Sequence, residues 1–152
     1  MSLYHKFFLL NRSENNYDKY LGIKSDVNIH DDLIRRMIDT LYWIPTENLL
    51  NSERIPFEGF DTQGMTIIKD EGAKILFHII SAWIDLFSFS PKKLKLSGPW
   101  TPYYNEEGKP EDDGYYRTLE FDRDQVITNL KALANYAQEA SKGDYFILHI
   151  GI

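Results

Sequence analysis

The chain contains no cysteine. That excludes disulfide staples, thiol nucleophiles and thiolate metal centres, and it suits a reducing cytosol. No apolar run approaches the ~20 residues that cross a bilayer. The longest, around residues 75–87, is broken by His78, Ser81 and Asp85. The N-terminal stretch MSLYHKFFLLNRSE has one lysine and a very short apolar patch. It lacks the longer apolar region and small-residue cleavage site of a secretory signal, and Phe7–Leu10 reads as a strand. A basic excess is also missing: 17 Lys and Arg against 23 Asp and Glu leave a net charge of −6. Non-specific nucleic-acid binding needs the opposite sign. The glycines at 59, 64, 72, 98, 108, 114, 143 and 151 fall in turns or at element ends. They form neither a phosphate-cradling loop nor a G-x-S-x-G elbow.

What remains is 152 residues, 43% apolar and 14% aromatic. That length and composition fit a single globular domain, 1–152, with a real core and some rings left for a surface. Tyr4–Leu10 is apolar and β-prone. A helix is expected from near Ile29, capped by Asn28, with Asp31 and Asp32 at its positive end. Leu33, Ile34, Met37, Ile38 and Leu41 follow helical spacing. Pro45 ends or kinks it, and residues 46–63 read as irregular. Met65–Ile68 suits a short strand. Asp70 is expected to cap a second helix, apolar on almost every side from Ala73 to Phe87 and so central to the fold. Leu94 and Leu96 alternate with lysines, and Tyr115–Phe121 alternates again. Asp122 and Gln125 have capping-box spacing before a third helix with Val126, Ile127, Leu130, Leu133, Ala134 and Ala137 on one stripe; Gly143 stops it. Tyr145–Ile150 is a near-continuous apolar run and reads as an interior strand buried on both faces. The order predicts α+β: a mostly antiparallel sheet of four to five strands packed with three helices.

The segment WTPYYNEEGKPEDDGYYRTLEFDRD, residues 100–124, concentrates the charge. Between Tyr103 and Asp124 it holds Glu106, Glu107, Glu111, Asp112, Asp113, Glu120, Asp122 and Asp124 against Lys109, Arg117 and Arg123, a balance of −5 where the whole chain carries −6. Tyr103-Tyr104 and Tyr115-Tyr116 bracket the acidic tip. Acids draw in a basic partner over distance. Tyrosines provide contact area at low entropic cost and a hydroxyl for hydrogen bonding. The pattern reads either as a protein-binding surface or as a solvated hairpin tip. Trp83 on the second helix belongs to the core. Trp100, after Gly98-Pro99, flanks a polar loop, and Tyr42-Trp43 packs inward or forms a second exposed patch.

The four histidines, His5, His30, His78 and His149, lack the spacing of a metal site. His78 and His149 lie in apolar segments and read as satisfied, partly buried side chains; a pair formed by them in space would be capable of acid–base work. The run Asp26–Asp32 starts like a calcium loop but lacks glycine at its sixth position and carries Met37 where a bidentate Glu belongs. No catalytic residue, cofactor or metal follows from the sequence.

Three features together resemble bacterial toxin-immunity proteins, the small cytosolic partners of polymorphic and contact-dependent growth-inhibition toxins. They are the acidic α+β layout, the segment GMTIIKDEGAKILFHIISAWIDLF followed by KKLKLSGPW, and the terminal strand YFILHIGI. The resemblance concerns the layout of the chain and carries over no residue role. It implies a cytoplasmic, non-enzymatic protein that neutralises a cognate toxin domain, such as a nuclease, by binding its basic surface, with no nucleic acid or membrane partner. On that expectation the interface comprises Trp100, Tyr103, Tyr104, Glu106, Glu107, Glu111, Asp112, Asp113, Tyr115 and Tyr116. The alternative is a small enzyme or ligand-binding protein with a pocket near His78 and His149. A third reading is a subunit of a larger assembly with obligate aromatic contacts.

Overall fold

The computed structural model describes residues 3–152, and the fold is α+β. In chain order the elements are β1 (Tyr4–Asn11), β2 (Val27–His30), α1 (Asp31–Leu41), β3 (Pro45–Leu50), β4 (Glu53–Glu58), β5 (Met65–Ile68), α2 (Asp70–Ser88), β6 (Lys93–Tyr104), β7 (Pro110–Asp122), α3 (Arg123–Ala140) and β8 (Tyr145–Ile150). Six strands form one sheet in the order β2-β1-β8-β5-β3-β4, and β6 and β7 form a separate two-stranded ribbon. Each pairing is antiparallel.

β8 lies in the interior of the sheet, hydrogen-bonded to β1 on one side and β5 on the other. Phe146 to Ile150 are all buried, as the apolar run predicts. Alternation sends Ile147 and His149 toward the helices and Phe146, Leu148 and Ile150 to the opposite face. α3 packs over β8, β2 and β1, and α2 lies against α3. Ala134, Ala137 and Ala140 are small buried residues on α3. The far face of the sheet is closed by Tyr17 and Tyr20, from the segment between β1 and β2, together with Leu49 and Met65.

The sheet is larger than the sequence suggests because residues 45–58 form a hairpin. Asn51 and Ser52 both have positive φ, 50° and 66°, between the paired residues Leu50 and Glu53. That is the two-residue turn whose twist matches a β-hairpin. β4 is the outer strand and pairs on one side only, where Pro56 is tolerated. Along it Ile55 and Phe57 are half-buried and alternate with exposed Arg54, Pro56 and Glu58.

Two helix starts also differ. Val27–His30 pairs with β1, so α1 begins at Asp31, and the His30 ring nitrogen Nδ1 accepts from the Asp32 backbone N–H at 3.1 Å. Asn28 instead donates from its side-chain amide to the Ser25 carbonyl. Asp70 is the first residue of α2, not its cap. It has φ +50°, and its carboxylate accepts two hydrogen bonds from the Arg12 guanidinium, at 2.6 and 3.3 Å. At α2's first turn a Cβ on Gly72 would come within 2.1 Å of the Pro45 carbonyl oxygen, so only glycine allows the helix this close to β3. Asp122 caps α3 by accepting from the Gln125 N–H at 2.9 Å, as its spacing predicts. The Gln125 side chain does not complete the box and donates to Asn129 instead.

Phe146, Ile147, Leu148 and Ile150 together bury apolar surface worth roughly 6–12 kcal/mol, comparable to the ~5–15 kcal/mol stability of a whole domain. A chain truncated after Tyr145 is therefore expected to lose cooperative melting in circular dichroism; a sigmoidal transition from the truncated protein would contradict the central role of β8.

Candidate functional site

The ribbon carries all ten residues of the sequence-predicted interface. Its root is built into the body. Leu94 is buried, and Leu96 and Phe121 pack against the main core. The Arg123 backbone N–H donates to the Lys92 carbonyl at 2.8 Å, and the Arg123 guanidinium donates to the Ser90 carbonyl at 2.9 Å. On the outer face of the root Lys93 and Lys95 pair with Glu120. An open cavity of about 480 Å³ lies here, lined by Lys92, Lys93, Glu120, Phe121 and Asp122.

Beyond the root the register shifts between Ser97 and Trp100. Two residues, Gly98 and Pro99, oppose Arg117 alone, which is a bulge that bends and twists the ribbon. Ring contacts and a side-chain hydrogen bond join the two strands beyond the bulge. Trp100 and Tyr116 are cross-strand partners with ring centroids 5.2 Å apart in an edge-to-face arrangement. Tyr103 and Tyr115 lie 5.8 Å apart. Arg117 donates to the Thr101 hydroxyl at 3.2 Å. A Cβ on Gly114 would meet the Thr101 carbonyl at 2.4 Å and the Trp100 ring at 2.8 Å, so glycine here lets the indole fold across the strand. The tip is a turn organised by Asn105, whose side-chain oxygen accepts from the N–H groups of Glu107 and Lys109, with Gly108 at φ +74°.

All five rings are exposed, Tyr104 and Tyr116 by more than three-fifths. Glu106, Glu107, Glu111, Asp112 and Asp113 are exposed as well. The predicted residues are thus brought together along one projection but not onto one face. Neighbouring cross-strand pairs alternate sides, so Trp100 and Tyr116 occupy one face and Thr101 and Tyr115 the other. A partner touching one face would use the rings of that face as anchors and leave the others outside.

The histidine expectation changes more. His78 is exposed on α2, edge-on to the Phe77 ring. His149 is fully buried and pairs with His5, with 2.8 Å between His149 Nε2 and His5 Nδ1. His5 Nε2 lies 2.9 Å from Asp31 Oδ1, and the Arg35 guanidinium donates to Asp31 Oδ2 at 2.6 Å. The carboxylate sets every proton in this chain. It accepts from Nε2–H of His5, which leaves Nδ1 of a neutral His5 as acceptor for Nε2–H of His149. His149 Nδ1 is then a buried acceptor with no hydrogen-bond partner among the described residues. The Phe60 ring stacks on His149, and Phe7 lies tilted across it. The chain joins β1, β8 and the first turn of α1, and His5 and His149 are both fully buried. A sequence signal for it existed: Asp31 and Arg35 are spaced i,i+4, and strand alternation puts His5 on the face of Phe7 and Leu9.

Burial pushes the pKa of both histidines down, His149 well below its ordinary value; for His5 burial outweighs the opposing effect of its hydrogen bond to the Asp31 carboxylate. Burial pushes the Asp31 carboxyl up, but the hydrogen bonds from Arg35 and His5 outweigh it and hold the carboxyl below its usual range. Among the described residues no group of three or more His, Cys, Asp or Glu is placed to hold a metal ion, and no helix is long and apolar enough to cross a membrane.

No protein-family model matches the chain, and comparisons with curated proteins and with solved structures find no match.

The buried histidines generate a pH prediction. Below pH ~6.5 the unfolded chain takes up protons that the folded chain refuses, so stability is complete above that value and declines as pH falls. Two such groups contribute a slope of up to ~2.7 kcal/mol per pH unit until the folded pKa values are reached. Chemical denaturation between pH 7.5 and 5 is expected to show this loss, and His149→Phe to reduce its slope by about half. A slope identical in wild type and variant would mean that His149 is not held neutral.

Proposed function

We propose that the protein acts by binding: it is an immunity-type inhibitor, resident in the bacterial cytoplasm, of a toxin domain with a basic groove such as a nuclease. The observation that carries this reading is the ribbon. It projects from a rooted base, exposes five aromatic rings, and places Glu106, Glu107, Glu111, Asp112 and Asp113 around its outer end. Isolated two-stranded ribbons bury little and are marginal alone, so a long one that exposes tryptophan and tyrosine suits contact with something else. Division of labour follows from the physics. The acids act over a Debye length and set the encounter rate. Rings desolvated in the complex set how long it lasts. The layout resemblance to immunity proteins supplies the class of partner.

The competing reading, an enzyme or ligand-binding protein working through His78 and His149, is disfavoured by geometry. One of these side chains is exposed on a helix and the other is sealed beneath Phe7 and Phe60.

Calorimetry with the toxin domain encoded beside the gene, at low and moderate salt, is the direct test. Expected are one-to-one, salt-sensitive binding and loss of the toxin's activity. Neutralising the five tip acids as Gln or Asn should slow association by about tenfold and flatten its salt dependence. Tyr116→Ala should speed dissociation by roughly thirtyfold, the equivalent of ~2 kcal/mol for an anchor. Binding unaltered by both changes would place the interface off the ribbon, and absence of binding would remove the immunity assignment.

A further inference from the structure

Two surfaces leave large apolar side chains in water. One is the outer side of α2, where Leu86 is 60% exposed, Phe89, just past the helix end, 83%, and Trp43, just past the end of α1, 69%. α2 is therefore central on one side and bare on another, contrary to its all-round apolar sequence. The other surface is the ribbon, which also offers open strand edges. Four strands are hydrogen-bonded on one side only: β2, β4, β6 and β7. An open edge presents a row of N–H and C=O groups with which another strand can pair. β2 has only four residues, β4 carries Pro56, and β6 carries Pro99 and Pro102. Proline has no N–H to give. β7 has no proline from Glu111 to Asp122 and is the longest edge free of one.

The register shows which groups of β7 point outward. Pro102 lies opposite Gly114 and fits the ladder with its nitrogen turned away from β7. The Gly114 N–H is turned away as well, and it donates to the Asp113 carboxylate at 2.8 Å. Every second residue follows suit, so Tyr116 and Thr118 direct their N–H and C=O groups away from β6. Among the described residues no backbone group outside the ribbon meets them.

We propose that β7 takes a further strand from its partner: an extended segment of the toxin domain, bearing Lys or Arg, hydrogen-bonded along Gly114 to Thr118. The proposal rests on the immunity reading and adds the mode of contact. Two observations join the open edge in its support. The first is the placing of the rings. Trp100 and Tyr116 occupy one face of the ribbon, and Tyr115 with Tyr103 the other. A strand added at the edge sends its own side chains alternately to both faces, so it packs beside Tyr115 and Tyr116 at once. The second is charge. Glu111, Asp112 and Asp113 are exposed along this edge against Arg117 alone, which draws a basic strand and disfavours a second copy of the acidic ribbon. Main-chain hydrogen bonds then hold the strand, while the rings and acids select its sequence.

The test is amide hydrogen exchange on the full chain, free and mixed with the toxin domain encoded beside the gene, with calorimetry reporting whether the complex forms. In the complex the N–H groups of Tyr116 and Thr118 are expected to exchange at least about tenfold more slowly, and that of Trp100, on the outer edge of β6, to be unchanged. Thr118→Pro removes one outward N–H and leaves the ribbon's own ladder intact. It is expected to weaken binding about fivefold, whereas Thr118→Val, which keeps the N–H, stays within about twofold; both should melt with the wild type. A complex that forms without slowing exchange at Tyr116 and Thr118 overturns the added strand and leaves the immunity reading standing. No complex removes both. Slowed exchange at these amides in the chain alone, growing with its concentration, means that a second copy fills the edge and also overturns the proposal.

Discussion

The backbone pairing of β8 with β1 on one side and β5 on the other is the constraint on which the other elements depend. It joins the first strand of the chain to the last, Lys6 facing Ile150 and Asn11 facing Tyr145. A contact of such sequence separation costs loop entropy that only burial offsets. β8 supplies that burial by being apolar on both faces. α3 follows from it, because the helix has a face to cover only once β8, β1 and β2 lie side by side. Tyr17 and Tyr20 follow in the same way on the far face, where Phe146 and Leu148 would otherwise meet water.

The polar chain from His149 through His5 to Asp31 is the exception within this core, and its physics is one-directional. A single carboxylate, held from outside by Arg35, dictates both tautomers and leaves the last nitrogen bare. An apolar replacement would bury more surface with fewer conditions. What the chain adds is selectivity of register. His149 finds its acceptor only where β1 and β8 pair as they do, and a slip of one residue would carry every side chain of the strand to the opposite face.

The outside of the molecule divides into an acidic, aromatic ribbon and a bare apolar helix face, and the two are physically unlike. The ribbon is polar between its rings and repels its own copy. The α2 face is apolar around Trp43, Ile79, Ala82 and Leu86. Both leave Trp, Phe or Tyr in water at a cost that a covered surface would remove. They meet at Phe89 and Ser90, where α2 hands over to the root of the ribbon.

Much of this was legible in the residues. The interior strand Tyr145–Ile150, the stripe of α3, the cap at Asp122 and the acidic hairpin are local patterns, and local patterns survive folding because their periods belong to the backbone itself. Legibility failed where a neighbour supplied the missing term. Residues 46–63 read as irregular although 45–58 pair as a hairpin, because Asn51 and Ser52 mark its turn only through their left-handed conformation. Asn28 is a good cap by type, but Val27–His30 was already claimed by β1. α2 reads as buried throughout, since a sequence reports how apolar a side is and not whether anything covers it. The amino-acid sequence by itself determined the class of fold, the central strand and the concentration of acid and tyrosine in one segment, all properties of short-range order. Tertiary structure alone decided that His149 meets His5 and not His78, that the ribbon's rings fall on two faces, and that one side of α2 stays open. Each of these depends on which distant surfaces come into contact, and spacing along the chain does not encode that.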